Sequence, residues 1–357
     1  MTEDDSTMAA AAPASQLVHG QPAPSIVAHG GDLSGLRAAP GAYAGDWLDL
    51  STGINPFPWP LPDLPAEAWT RLPGADGMAA LLDAARQAYG VPAAAGIVAA
   101  PGTQAIIQLL PFLFPTSRIA ILGPTYAEHA HVWRQAGHDV REIDGVPGSL
   151  KDIDVLLTVN PNNPDGRALG LPLLHRWHAE LSSRGGWLIL DEAFADVAPE
   201  VSLCAQAGTP GLVILRSFGK FFGLAGLRLG FMLAPAEMTG TVSVAQGPWA
   251  VSGPALEIGA AALKDAAWQA QMRDELRMRS RRFDQGMRER GIHVLGGTAL
   301  FRLAKVSDAA GFAQALRGQG IHVRIFEKQP QWMRFGLPVD EAEFWRRLDL
   351  VLQDFRL

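Results

Sequence analysis

Cysteine is nearly absent. Of 357 residues only Cys204 carries a thiol, which excludes an intrachain disulfide and fits a reducing compartment. A basic excess is missing too. Lys plus Arg number 30 against 36 Asp plus Glu, for a net charge of −6, and no long basic block occurs. A nucleic-acid partner therefore has no electrostatic footprint. No uninterrupted apolar run approaches the roughly 20 residues of a spanning helix, so no membrane partner is expected. The opening "MTEDDSTMAAAAPASQ" is acidic and lacks a basic flank before a long apolar run, so it does not read as a signal peptide. The expectation is a soluble, cytoplasmic protein.

What is present is a core. Hydrophobic residues make up 48% of the chain, and the length favours two domains or one large one. Residues 1–24 are Ala/Pro-rich and read as a flexible leader. From Asp46 onward, short Ile/Leu/Val runs alternate with helical patterns. "RIAILG" (118–123), "DVLLTV" (154–159), "GWLILD" (186–191) and "GLVILRS" (211–217) show little alternation, the pattern of strands buried on both faces. Between them, "AEHAHVWRQAG" and "LPLLHRWHAELSSRG" read as helices. The alternation predicts an α/β protein with a mostly parallel sheet. After Pro254 one long or broken helix precedes strands mixed with helices, the texture of a small α+β domain. The expected division is a large domain over 46–250 and a small one over 251–357, joined by an N-terminal segment at 25–45.

Four polar clusters fall at the C-terminal ends of strands, the edge where open α/β sheets bind ligands. Gly102, Thr103 and Gln104 open a helix whose unpaired N–H groups favour an anion, although Thr103 also reads as an ordinary N-cap. "NPNNPDG" (160–166) is a turn by composition alone. Asp191 ends "LILD", where it can cap a backbone amine or meet a cation. In "SFGKFFGLAGLRLG", Lys220 lies three residues after Ser217 and eight before Arg228, among glycines that allow close backbone approach. A lone loop lysine is usually a solvated charge. Here a hydroxyl and a guanidinium flank it, a good pair for a phosphate. At pH 7 a free lysine amine is neutral in only about one molecule in a thousand or fewer. A nearby arginine and partial burial both push its pKa down, as an imine-forming lysine requires. Lysine, strand-end carboxylate, Asn turn and anion site together fit pyridoxal phosphate.

The stretch "SFGKFFGLAGLRLG" resembles the S-x-x-K-x-x-G-x-x-x-x-R-x-G signature of fold-type I pyridoxal-phosphate enzymes of the class I/II aminotransferase group. "NPNNPDG" and "DEAF" resemble two further motifs of that group, in the right order. The resemblance spans about residues 25–357. It implies the aspartate aminotransferase fold, with a large cofactor domain and a small C-terminal one, and a homodimer with active sites at the subunit interface. It implies Lys220 and Asp191 as catalytic residues, the imine lysine and the partner of the ring nitrogen. For the cofactor it implies Asn163 at the ring hydroxyl, Tyr126 and Ala193 on the two ring faces, and Gly102, Thr103, Gln104, Ser217 and Arg228 around the phosphate. Substrate contacts would come from His29, Gly30, Asn55, Arg324 and Arg334, and no metal is expected.

"IVAHGGDL", "LDLSTGINPF" and "GPWAVSGPA" resemble the branch of this family that decarboxylates L-threonine O-phosphate to (R)-1-aminopropan-2-ol O-phosphate in cobalamin biosynthesis. The alternative is an aminotransferase acting on a phosphorylated amino compound such as histidinol phosphate. Phe194 and Leu72 stand where many aminotransferases have tyrosines that bind the cofactor. Each loss removes a hydrogen bond worth about 1 kcal/mol, which argues against a typical aminotransferase more than against the cofactor.

Overall fold

The structure is a computed structural model that describes residues 30–356. The leader, the start of the N-terminal segment and His29 lie outside them. The strands are β1 (Leu48–Asp49), β2 (Gly96–Ala100), β3 (Arg118–Gly123), β4 (Asp139–Asp144), β5 (Val155–Val159), β6 (Trp187–Asp191), β7 (Leu212–Ser217), β8 (Gly230–Ala234), β9 (His293–Thr298), β10 (Phe301–Lys305), β11 (Ile321–His322), β12 (Arg324–Phe326) and β13 (Gln329–Gly336). Seven form the central sheet in the order β2-β8-β7-β6-β5-β3-β4. All its pairs are parallel except those made by β8, which runs antiparallel to β2 and β7.

The residue pattern explains why this sheet is covered on both sides. Leu156, Leu188, Leu190 and Ile214 face one apolar cluster with Leu174, Trp177 and Leu181, while Leu157, Ile189, Val213 and Leu215 face another with Ile106, Ile107 and Trp133. Each strand thus buries both alternating sets of side chains, as the unalternating apolar runs required. The four strands expected from those runs are all present, three of them starting one residue later.

Among the described helices are α1 (Ser34–Arg37), α2 (Glu67–Thr70), α3 (Ala75–Ala88), α4 (Thr103–Leu109), α5 (Ala127–Gln135), α6 (Leu171–Ser182), α7 (Phe218–Phe221), α8 (Ala236–Gln246), α9 (Gly253–Lys264), α10 (Ala266–Glu289), α11 (Ala309–Gly318) and α12 (Glu341–Asp354). The long helical run after Pro254 is broken in two. Asp265 caps α10 by accepting from the Trp268 N–H, and its other oxygen accepts from the Trp59 indole. Helix α9 rests on α3, whereas α10 packs against the second sheet. That sheet is antiparallel, in the order β12-β13-β10-β9. One apolar cluster runs unbroken from Leu50 through Phe194 and Phe301 to Val351, so the second sheet is packed directly on the first assembly. Strand β1 pairs with β11 and carries the segment Ser51–Gly53 between the two.

Candidate active site

The C-terminal ends of β2, β5, β6 and β7 meet the β12–β13 edge around a cavity of about 450 Å³. That is ample for a cofactor-sized aromatic ring with a small substrate. Its lining brings together thirteen of the expected residues: Gly30, Gly102, Thr103, Gln104, Tyr126, Asn163, Asp191, Ala193, Ser217, Lys220, Arg228, Arg324 and Arg334. Asn55 does not line it. The Asn55 side chain is buried beneath the lysine turn, donating to the Phe221 carbonyl at 2.8 Å and accepting from the Phe57 N–H, while its backbone N–H donates to the Lys220 carbonyl. The expectation of a substrate contact from Asn55 is therefore corrected to a support for the lysine.

Lys220 is held by the residues around it. Phe218, Phe221 and Phe222 are buried, with Phe218 and Phe222 stacked at 4.3 Å, which anchors the short helix α7 and leaves Lys220 facing the cavity. Burial and the Arg334 guanidinium push its pKa from 10.5 down to about 8. Asp191 opposes that shift and Arg228 adds to it. An amine with that value is neutral in about one molecule in ten at pH 7, against the far smaller fraction of a free lysine.

Asp191 is almost fully buried, and both its oxygens are engaged. Oδ1 accepts from the Ala193 N–H at 3.0 Å, and Oδ2 lies 2.9 Å from Nε2 of the buried His129. The two contacts fix the plane of the carboxylate. His129 was not among the expected site residues. Its signal was present: it follows Tyr126 by three positions at the start of α5, so one helical turn brings both to the same face.

Also in the lining, Gly102 precedes α4 with φ +84°. A Cβ there would fall 2.7 Å from Arg228 Nη2, so the missing side chain is what lets the guanidinium lie against the helix start. Arg228 adopts φ +53° and is tied back by Nη1 to the Ala225 carbonyl. This cradle of N–H groups, Ser217 and a guanidinium suits a phosphate. The Gln104 side chain has a different task. It accepts from the Tyr126 hydroxyl at 3.1 Å and donates to Glu128 at 3.0 Å, and Gln108 donates to the same Glu128 oxygen. Glu128, which unlike His129 lines the cavity, is a second buried residue absent from the expected set. Burial, with the Glu128 and Asp191 carboxylates, holds the Tyr126 phenol well above its usual range.

The Asn-Pro turn divides its labour. Asn160 bonds the Leu169 and Val201 backbone, and Asn162 bonds Pro124, Thr125 and Asp165. Only Asn163 faces the cavity, where its Oδ1 accepts from Arg334 Nη1 at 2.5 Å. That contact commits the amide oxygen to Arg334 and leaves the NH2 to point elsewhere. Arg334 also donates to the Ser51 carbonyl, while its buried Nε–H finds no acceptor among the described residues. Burial and then Arg324 lower its pKa to about 10. Phe194 packs edge-on against Phe301 at 5.0 Å beneath Lys220, and Leu72 is 68% exposed on the surface.

The sequence matches the aminotransferase class I and II family over residues 46–346. It is 46% identical to a threonine-phosphate decarboxylase of Pseudomonas aeruginosa, over 93% of this chain and 98% of that protein. A threonine-phosphate decarboxylase of Sinorhizobium is 41% identical over 91% and 97%. Among solved structures, the histidinol-phosphate aminotransferase of Clostridium acetobutylicum superposes with a TM-score of 0.75 over 86% of this chain and 100% of that one, at 23% identity. At that identity the likeness speaks for the fold.

Proposed function

The chain belongs to the aminotransferase class I and II family, and from that premise we propose that it is a pyridoxal-phosphate-dependent decarboxylase of L-threonine O-phosphate. The product would be (R)-1-aminopropan-2-ol O-phosphate, in cobalamin biosynthesis, and the setting the cytoplasm. No described helix is long and apolar enough to cross a membrane. The observation that carries the reading is the cavity itself: a lysine of lowered pKa and a fixed carboxylate share it with Arg228 and the neighbouring Arg324 and Arg334. Three guanidinium groups suit it to a ligand set with several anionic groups.

The residues fit the cofactor. Lys220 would hold its aldehyde, Asp191 its ring nitrogen and the Asn163 NH2 its ring hydroxyl. Tyr126 and Ala193 would flank the ring, and Gly102, Thr103, Ser217 and Arg228 would take the phosphate. When bound, pyridoxal phosphate supplies an electron sink for the pair released as a bond at Cα breaks. The protein does the rest. Asp191, oriented by His129 and the Ala193 N–H, would accept from the ring nitrogen. Arg324, Arg334, Gly30 and, by the sequence resemblance, His29 would hold the two anionic groups of the substrate, which decides which Cα bond is presented for cleavage. Lys220, which lines the same cavity, would return a proton to Cα after CO2 leaves.

The test is an incubation of the holoenzyme with L-threonine O-phosphate without any keto acid. Release of CO2 with one amine phosphate per CO2 is expected. Product formed only when a keto acid is supplied would overturn the reading in favour of an aminotransferase, the activity in the name of the Clostridium structure.

A further inference from the structure

We propose that Gly296 is a positioning residue: its bare backbone, pressed on the Asp165 carbonyl, sets how far the Arg324–Arg334 pair stands from Asn163. The inference rests on the reading of those arginines as holders of substrate anions.

Register carries the first step. Gly296 on β9 lies opposite Leu303 on β10, Leu303 lies opposite Arg334 on β13, and Arg334 lies opposite Arg324 on β12. Directly opposed residues of antiparallel neighbours share one face of the sheet, so the four positions form a single cross-sheet row. The row begins at a glycine and ends at the two arginines.

The glycine meets backbone. A Cβ on Gly296 would come within 2.3 Å of the Asp165 oxygen, and one on Gly166 within 2.1 Å of the Gly297 oxygen. Neither neighbour is a flexible side-chain end that could swing away. The turn cannot yield easily either. Asn162 ties it through Pro124, Asp165 and Arg167, and the Gly166 N–H donates back to the Asn162 carbonyl at 2.9 Å. The same turn carries Asn163, which accepts from Arg334. Turn, glycine, cross-sheet row and arginine therefore make a closed ring of contacts. Widening it at Gly296 to ordinary van der Waals distance requires about 1 Å of separation, which hydrogen-bonded strands transmit to Arg334. Gly296 does not have a left-handed φ, so alanine is excluded there by proximity alone.

The experiment compares Gly296→Ala with the wild-type holoenzyme and with Gly318→Ala, a helix glycine with nothing within 4 Å of the added carbon. KM for L-threonine O-phosphate is expected to rise about 10- to 100-fold, the scale of a 1 Å misplacement, with kcat changed less than about threefold. Calorimetric titration with inorganic phosphate should weaken by a similar factor. That measurement reads the arginine pair whatever bond is cleaved at Cα, so failure of the decarboxylase reading would show in the CO2 assay and not here. Unchanged KM and phosphate affinity, or a fall in kcat alone, would overturn the proposal. Hydrogen exchange on the wild-type holoenzyme gives a second measurement that needs no variant. Phosphate binding should slow exchange over 162–167 and 294–298 together, and protection confined to 324–336 would refute the coupling.

Discussion

At the scale of single residues, the environment of Lys220 sets a measurable pH. Burial and two arginines outweigh the one nearby carboxylate and bring its pKa to about 8. Capture of pyridoxal phosphate by cofactor-free protein should accelerate as pH rises through about 8 and then level off. An ordinary lysine would keep gaining past 10. Stopped-flow absorbance measures this, and a midpoint near 10 would contradict the placement. The same shift has a thermodynamic side. Unfolding returns the amine to its usual 10.5, so between about 8 and 10.5 the unfolded chain binds more protons. The stability cost of burying this group is thus present below pH 8 and is relieved as pH rises across that window.

At the scale of elements, the strand that leads to Lys220 is fastened from behind. Arg216, one residue before Ser217, reaches Glu192 at 2.9 Å and Asp196 at 2.5 Å, with the Tyr89 ring 4.4 Å away. All three charged groups are buried, and they bind β7 to the loop that follows Asp191. Arg216→Met would leave two enclosed carboxylates without a cation, at a cost of about 3–5 kcal/mol in denaturant unfolding. A loss under about 1 kcal/mol would mean that the cluster is not closed to water. Legibility divides along the same physical line. The long unalternating runs gave away β3, β5, β6 and β7, and with them the strand ends bearing Asp191 and Ser217. Strands β2 and β8, "GIVAA" and "GFMLA", are five residues long and open on glycine, and β4 is a polar, largely exposed edge. Such segments take their form from neighbours that a sequence does not display. Likewise Glu128 read as one more polar position on a helix, and Asn55 gave no sign of which way its amide turns.

At the scale of the molecule, apolar surface remains to be covered. Trp69, Leu72 and Trp249 are 68%, 68% and 57% exposed, and a groove beside Trp249 is lined by Pro73, Met78 and Ile97. A second copy of this chain is the proposed occupant. Sedimentation equilibrium should return about twice 38.2 kDa, Trp249→Glu should shift the population toward the single chain, and a wild-type monomer would overturn the assignment. The charge layout leads further. A chain of net charge −6 concentrates Lys220, Arg228, Arg324 and Arg334 around one opening that holds only Asp191 and Glu128 in return. The net charge opposes the approach of a phosphorylated metabolite, while the cationic lining attracts it at the site. Counterions at cellular ionic strength mute interactions beyond about 8–10 Å and spare enclosed ones. Moderate salt should thus ease the approach before it loosens the grip, so that encounter rate passes through a maximum as electrolyte is added.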